Sequence, residues 1–474
     1  MALARMSFLD RDEEDTVHEQ SIACLEKIGV LIRSKPVLEM LSDAGCGIDW
    51  KGQVARIPEE LVIESVRKAP SEFKLCSRVS GNDVALPSKD QPHLTTDGLT
   101  LYMIDLETGR KRDASRKDLG DFARLADALD QIDFFWPIVT VSEVPQQCHP
   151  VFEMWTSLLN CEMHVQGDSI SAEDARKQIE LASLVAGGEE ALRKRPLFSA
   201  AIDPVAPLSF EKGAVEAQVI LSKAGIPILA HSMTLTGMSS PTTVAGTVVN
   251  INSENLASLV ISQIASPGSP HIYGSSSVPI DMATGSMNYF APEGAAISTA
   301  AGQMARRYGR PCMVGDWGAG VNGLGMDASF CELSAHFMTM FSGTDLAPGI
   351  GGIDCAKGCS FEQMVIDATL WDQFRAFFRR FTVDEKTIAL DVVRAVGHGN
   401  SFLTHPHTAM NFKRELFFWD RKKLDMQATL SDRMVTGAGK TAKKMLSDHA
   451  VEPVDKDIVR EGERILAEYA KSHT

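Results

Sequence analysis

The chain has 474 residues, enough for one large core or two ordinary ones, and its 44% hydrophobic and 23% charged residues are those of a soluble globular protein. Its 47 Lys and Arg against 62 Asp and Glu leave a formal charge of −15, which argues against nucleic acid or an anionic membrane as partner, since both need a cationic surplus. Nine scattered cysteines, an odd number, argue against a disulfide framework and for a reducing, cytoplasmic setting. No signal-peptide core and no apolar stretch of about 20 residues is present.

Residues 1–130 are expected to form an α+β extension. Apolar positions at helical spacing predict a helix over 12–28, with shorter ones at 35–43 and 59–68, the last after Pro58. CGIDWKGQVARI between them has the pattern of a hairpin, 99–104 with the following LETGRKRDA that of a strand and turn, and 117–128 that of a helix.

From Phe134 a rhythm sets in. Short β-rich runs at 134–141, 162–167, 197–202, 226–231, 271–276, 311–316, 345–350 and 401–405 alternate with helical patterns at 151–160, 172–186, 209–223, 254–265, 293–308, 328–342 and 361–380. Such alternation means βαβ units and a parallel sheet, and eight units fit a TIM (β/α)8 barrel, placed at 131–407. An open doubly wound sheet would carry a G-x-G-x-x-G turn after its first strand, and none follows 134–141. Pro348 weakens the seventh run. Residues 408–474 form a charged helical tail whose last helix, 455–471, carries Ile458, Ile465, Leu466 and Tyr469 on one stripe and is read as packed on the barrel's outside.

A barrel keeps its chemistry at strand C-termini and the loops after them. Those positions hold Glu143, Gln166, Asp168, Asp203, His231, Tyr273, Asp281, Tyr289, Asp316, Trp317, Asp354, Lys357, His405 and His407. Acids with Tyr and Trp suit a quaternary ammonium ion, which donates no N–H bond and is held by charge and aromatic faces at ~0.5–2 kcal/mol per ring. The stretch APGIGGIDCAKGCSFEQMVID (347–367) runs from a strand through a glycine-rich loop into a helix capped by Ser360, with Gln363 placed for a capping box. His405–Pro406–His407 is read as a helix start before a metal motif. Cys355 and Cys359 lack the further ligands a structural zinc usually brings, and GAGVNGLG (318–325) lacks a P-loop ending.

Five stretches together resemble the trimethylamine methyltransferase (MttB-like) family: LYMIDLETGRKRDASRKDLGDFARLADAL (101–129), LTGMSSPTTVAGTVVNINSENLAS (235–258), MNYFAPEGAAISTAAGQMARRYGRP (287–311), GIGGIDCAKGCSFEQMVID (349–367) and FLTHPHTAMNFKRELFFWDR (402–421). The resemblance implies a TIM barrel and methyl transfer from a methylated amine to the cobalt of a corrinoid (cobalamin) carried by a partner protein, with none bound permanently. It also implies pyrrolysine, in the founding members, at a position in or beside the loop of Asp354, Cys355 and Lys357. This chain has only standard residues there, which points to the branch resembling quaternary-amine demethylases, glycine betaine:corrinoid protein methyltransferase above all. A quaternary amine leaves as a neutral amine and needs no general acid, so no catalytic acid–base pair is expected. On that chemistry Tyr289, Phe290 and Trp317 are candidates for the aromatic cage. Glu254, Glu293, Asp316 or Glu332 could supply the negative charge, and His231, Asn322 and Lys357 the donors for a betaine carboxylate. No protein-bound metal is expected, and a homo-oligomer is. The alternatives are a zinc-dependent thiol-directed methyltransferase using Cys355, Cys359 and a histidine, a metal-dependent hydrolase using His405 and His407, and a non-catalytic betaine-binding or scaffold subunit.

Overall fold

A computed structural model of the chain describes residues 5–289, 291–315, 337, 340–376, 381–416 and 431–473. Eight parallel strands form one sheet curled into a barrel: β1 (His93–Thr96), β2 (Phe134–Phe135), β3 (His164–Asp168), β4 (Phe198–Ile202), β5 (Ile228–Ser232), β6 (His271–Ser275), β7 (Cys312–Val314) and β8 (Leu346–Ile350). Pairing runs in order from β2 to β8, and β8 pairs with β1. The ring closes where the Asp133 N–H donates to the Leu94 carbonyl at 2.9 Å and the Trp136 N–H to Thr96 Oγ1 at 3.1 Å.

The period-2 alternation decides what each strand faces. Phe134, Ala201, Leu229, Ile272, Met313 and Leu346 point inward and form one cluster. Phe135, Val165, Phe198, Ala200 and Ile202 point outward against the helices. These helices are α1 (Arg116–Asp127), α2 (His149–Asn160), α3 (Ala172–Ala186), α4 (Lys212–Ala224), α5 (Val244–Ala265), α6 (Pro292–Arg307) and α7 (Phe361–Arg375).

Seven of the eight expected runs carry barrel strands. The exception is 401–405, which is a bend and turn leading to the helix Pro406–Glu415. The missing strand is β1, from the stretch read as extension, so the barrel strands span 93–350 and not 134–405. β1 is only four residues long and is fixed by its pairing with β8. Pro348 stays inside β8 because the β1–β8 ladder shifts register between Ala347 and Ile350, a bulge that frees the proline from donating. The expected helix 328–342 falls almost wholly outside the described residues.

The extension follows its sequence pattern. Helix Arg11–Ala23 continues as a π-turn through Ile28, and a hairpin pairs Gly47–Asp49 with Val54–Arg56. Val17, Leu25 and Leu38 pack into one cluster with Ile251 of α5 and Ile297 and Met304 of α6. A second hairpin, Phe73–Leu75 with Val84–Leu86, plugs the N-terminal end of the barrel with Leu75, Val84 and Leu86. Charge is thereby left to the opposite end. No helix among the described residues is long and apolar enough to cross a membrane.

The last helix, Lys456–Ser472, lies on the outside of α2 and α3 with Ile465, Leu466 and Tyr469 buried, as its stripe implies. Tyr469 donates to Asp174 Oδ1 at 2.5 Å, and Glu463 accepts from the Trp155 indole at 3.1 Å. Gly462 sits flat on that indole, where an added Cβ would stand 2.1 Å from the ring. Gly462→Ala should therefore lift the helix and cost ~1–3 kcal/mol; an unchanged urea midpoint would show that the contact is not tight.

Candidate active site

Six strands deliver polar side chains to the C-terminal mouth of the barrel. In β3 the alternation places His164, Gln166 and Asp168 inward, in rising order. Asp203 follows β4, His231 is the inward residue near the end of β5, and Ser276 follows β6. Asp97 follows β1 and Trp136 follows β2.

Trp136 is the hub of this group. Its indole N–H donates to Asp168 Oδ2 at 2.9 Å, and its ring meets the His231 imidazole edge-on at 5.6 Å between centroids. Gly98 lies against the other side of the indole, where a Cβ would approach to 2.8 Å, so the loop after β1 needs a glycine there. His231 Nδ1 is 3.2 Å from Asp203 Oδ1 and its Nε2 is 2.9 Å from Ser276 Oγ. Below them His164 bonds the Cys76 carbonyl and Ser199 Oγ, and burial holds its pKa down at about 4, a neutral structural histidine. Gln166 is fully buried, and its Nε2 finds no hydrogen-bond partner among the described residues.

The electrostatics of the mouth are unusual for carboxylates. Burial, reinforced by the like charge of Asp203, pushes Asp168 up to about 7 against the pull of the Trp136 N–H and His231. Glu153 of α2, beneath the mouth, is driven by burial to about 8, with Asp168 adding to the rise and the Val141 N–H opposing it. Among the described residues, Asp168 and Asp203 are braced by an indole and an imidazole, not by a Lys or Arg. Burial first, and the like charge of Asp203 second, thus disfavour ionisation of Asp168 at the mouth.

Three loops meet at the rim. The Tyr102 hydroxyl, after β1, donates to Asp354 Oδ2 at 2.7 Å. Asp354, Cys355 and Ala356, after β8, all have positive φ (54°, 54° and 59°), a left-handed turn of three L-residues costing ~1–2 kcal/mol each. Cys355 Sγ lies 4.0 Å from the Met287 carbonyl, on the loop after β6 that carries Tyr289. Lys357 is exposed, 4.0 Å from Asp354. Ser360 caps α7 as expected, accepting from Glu362 N and Gln363 N, but Gln363 does not close a capping box; its amide donates to Asp367 instead.

Of the site residues expected from sequence, His231 lies in the mouth, with Gln166, Asp168 and Asp203 from the wider strand-end set. Tyr289, Asp354, Cys355 and Lys357 lie on the rim. Phe290, Asp316, Trp317, Asn322 and Glu332 lie outside the described residues. Glu254 does not face the mouth: α5 starts ten residues earlier than expected, at the Thr243 cap, and puts Glu254 in mid-helix on the outer side of β5. There it is fully buried and accepts from Ser232 Oγ, Leu208 N and Asn250 Nδ2, bracing the loop after β4. Glu293 is exposed in the first turn of α6, where the helix dipole favours an acid. Tyr273 points outward to Asn252, and Asp281 and Glu143 close local turns and caps.

Sequence reasoning missed Trp136 and Asp97. The alternation of Phe134 and Trp136 before Pro137 already marks the indole as inward, whereas Asp97 had no recognisable strand before it. The zinc reading loses its geometry: Cys359 is fully buried against the Tyr102 carbonyl with its thiol pushed far up by burial, and Cys355 faces another loop. His405 Nδ1 accepts from the His407 N–H as a helix cap. Among the described residues no three His, Cys, Asp or Glu side chains stand together as a metal site.

Asp168 also makes a prediction about stability. Its folded pKa lies above its unfolded one, so its protonated form favours folding, and that stabilisation is lost as pH rises through about 7. Asp168→Asn should therefore stabilise the protein by ~1–3 kcal/mol more at pH 8 than at pH 5. Equal shifts in melting temperature at the two pH values would mean that the carboxyl does not titrate in this range.

The comparisons with known proteins fit this geometry. The trimethylamine methyltransferase (MTTB) family model matches residues 1–471. A trimethylamine methyltransferase MttB of Desulfitobacterium hafniense is 31% identical over 409 residues, covering 85% of this chain and 82% of its own, and that of Methanosarcina barkeri is 28% identical over 97% and 94%. A glycine betaine methyltransferase of Desulfitobacterium hafniense is 27% identical over 91% and 88%. Among solved structures, the Methanosarcina barkeri monomethylamine methyltransferase MtmB superposes with a TM-score of 0.54 at 11% identity, over 95% of this chain and 90% of that one, a likeness of fold. The chain is a methyltransferase and belongs to the trimethylamine methyltransferase family.

Proposed function

We propose that this enzyme demethylates a quaternary amine, with glycine betaine the best candidate and dimethylglycine its product, and that the methyl passes to the Co(I) of a corrinoid presented by a partner protein. The observation that carries the proposal is the acidic–aromatic mouth: Asp168 and Asp203 beside Trp136 and His231, with one carboxyl forced towards neutrality. A trimethylammonium group arriving there supplies the missing positive charge and lets Asp168 ionise. Burial then makes the attraction stronger than it would be in water. The glycine betaine methyltransferase among the relatives and the standard residues of the 354–358 loop support the quaternary class.

The chemistry asks little of the protein in the way of proton transfer. A Co(I) corrinoid supplies the attacking electron pair and keeps the methyl, while the C–N electrons leave with a neutral amine. What the chain supplies is position. The carboxylates hold the cation, the Trp136–His231 pair walls it, and Tyr289 on the rim is a candidate for a further aromatic face. The orphan N–H of Gln166 is a donor for the polar end of the substrate. Orientation of this kind accounts for ~7–11 kcal/mol of a barrier.

Two measurements test the reading. Mixed anaerobically with cob(I)alamin, free or on its corrinoid protein, the enzyme should convert the Co(I) spectrum to methyl-Co(III) when glycine betaine is added. Conversion with a tertiary amine alone would move the substrate class, and no conversion with any amine and the corrinoid protein present would refute the function. Asp203→Asn, at a half-exposed position, should raise KM for the cation ~5–30-fold, equivalent to about 1–2 kcal/mol, with a smaller change in kcat. An unchanged KM would remove that carboxylate from the site.

A further inference from the structure

The floor of the mouth holds two hydrogen-bonding groups that the fold itself does not use. Gln166 of β3 and Thr95 of β1 are both fully buried, and among the described residues neither Gln166 Nε2 nor Thr95 Oγ1 has a hydrogen-bond partner. Both side chains point into the barrel. Gln166 lies between the inward residues His164 and Asp168, and Thr95 follows Leu94, which packs outward among the helices. Each stands two residues before a carboxyl of the mouth, Thr95 before Asp97 and Gln166 before Asp168, and so one inward layer below it. The corresponding residues of neighbouring strands are apolar: Phe134 below Trp136, Ala201 below Asp203 and Leu229 below His231. A buried donor without an acceptor is destabilising, and an apolar side chain would remove that cost at either position.

The direction of methyl transfer identifies what meets these donors. The far end of the barrel is plugged by Leu75, Val84 and Leu86, so a partner's cobalt approaches the substrate from the mouth. Displacement at carbon is in line. The new bond to the methyl carbon forms on the side opposite the C–N bond, whose electron pair returns to nitrogen as the neutral amine departs. The transferred methyl therefore faces outward, and the other substituents of the nitrogen lie on the inner side, above Thr95 and Gln166. Two donors suit a group that only accepts, and a carboxylate takes both without needing to donate.

We infer that Thr95 and Gln166 form the subsite that reads a carboxylate arm of the substrate, directed down the barrel axis beneath the cation. They make the enzyme select quaternary amines that carry an acid group over those that do not. The inference rests on the reading of Asp168, Asp203 and Trp136 as a cation site.

Calorimetric titration of the full-length protein, with no corrinoid present, separates the arm from the cation. Tetramethylammonium has the same charge as the head of glycine betaine and no arm. The wild type should bind glycine betaine ~10–100-fold more tightly than tetramethylammonium, the range expected for hydrogen bonds to a charged group. Thr95→Val and Gln166→Met keep the side-chain shape and remove the donor. Each should weaken glycine betaine binding ~10-fold and keep tetramethylammonium affinity near the wild-type value. Neither should lower the melting temperature, because Thr95 Oγ1 has no partner to lose and Gln166 gives up only a 3.4 Å contact from Ser199 Oγ. A wild type that binds tetramethylammonium as tightly as glycine betaine would overturn the inference and leave the cation site standing. Folded variants with unchanged glycine betaine affinity, or with equal losses for both ligands, would do the same. A wild type that binds neither ligand would remove the cation site itself, and the inference with it.

Discussion

A closed parallel barrel can admit charge to its interior only where its strands run out, because anywhere deeper a carboxylate loses water and gains nothing. Here the N-terminal end is sealed by Leu75, Val84 and Leu86, and the middle is filled by Phe134, Ala201, Leu229 and Ile272. The inward carboxyls are consequently confined to one opening, whereas His164, deeper in the barrel, is held neutral by burial. Asp168 is the residue on which this constraint falls hardest. It sits at the boundary between the filled core and the mouth, and the Trp136 N–H is what makes its position tolerable. Remove the constraint and there is no reason for carboxyls on β3 and after β4 to perturb one another; impose it and they are brought together at the mouth.

That arrangement also commits the ionisable groups described around the mouth to structural partners. His231, the obvious general base, is committed on both ring nitrogens, to Asp203 and to Ser276. His164 is neutral and structural, and Glu153 is protonated in the core. These groups hold the shape of the mouth and the core beneath it.

Much of this was legible in the residues. Strands such as IPILAH and HIYGSS are short β-rich runs between helices of regular period, and their order follows from chirality and connection rules. What failed were features fixed at long range or by a boundary. His93–Thr96 is a strand because β8 and the 133–136 segment lie on either side of it, and nothing in the four residues HLTT says so. The sequence pattern starts a helix at Glu254, and Asn252 and Ser253 before it are of the kind that cap helices. The true start, Thr243 after Pro241, was equally visible and was passed over for want of an apolar stripe, since α5 is buried along most of its length. Trp136 lies within the run 134–141, and its importance rests on a partner 32 residues away.

The seam between β1 and β8 carries a consequence for how the molecule comes into being. His93 and Leu346 are register partners about 250 residues apart, so the loop they close is costly and becomes available only once the last barrel strand has been made. Until it forms, β2 through β7 are a curved sheet with two raw edges, and the charged mouth does not yet exist. The Tyr102–Asp354 bond, which joins the loops that follow those two strands, lies just beyond the seam. Closing the ring and assembling the rim of the mouth are in this sense one event, and a nascent chain acquires its barrel and the mouth of that barrel together.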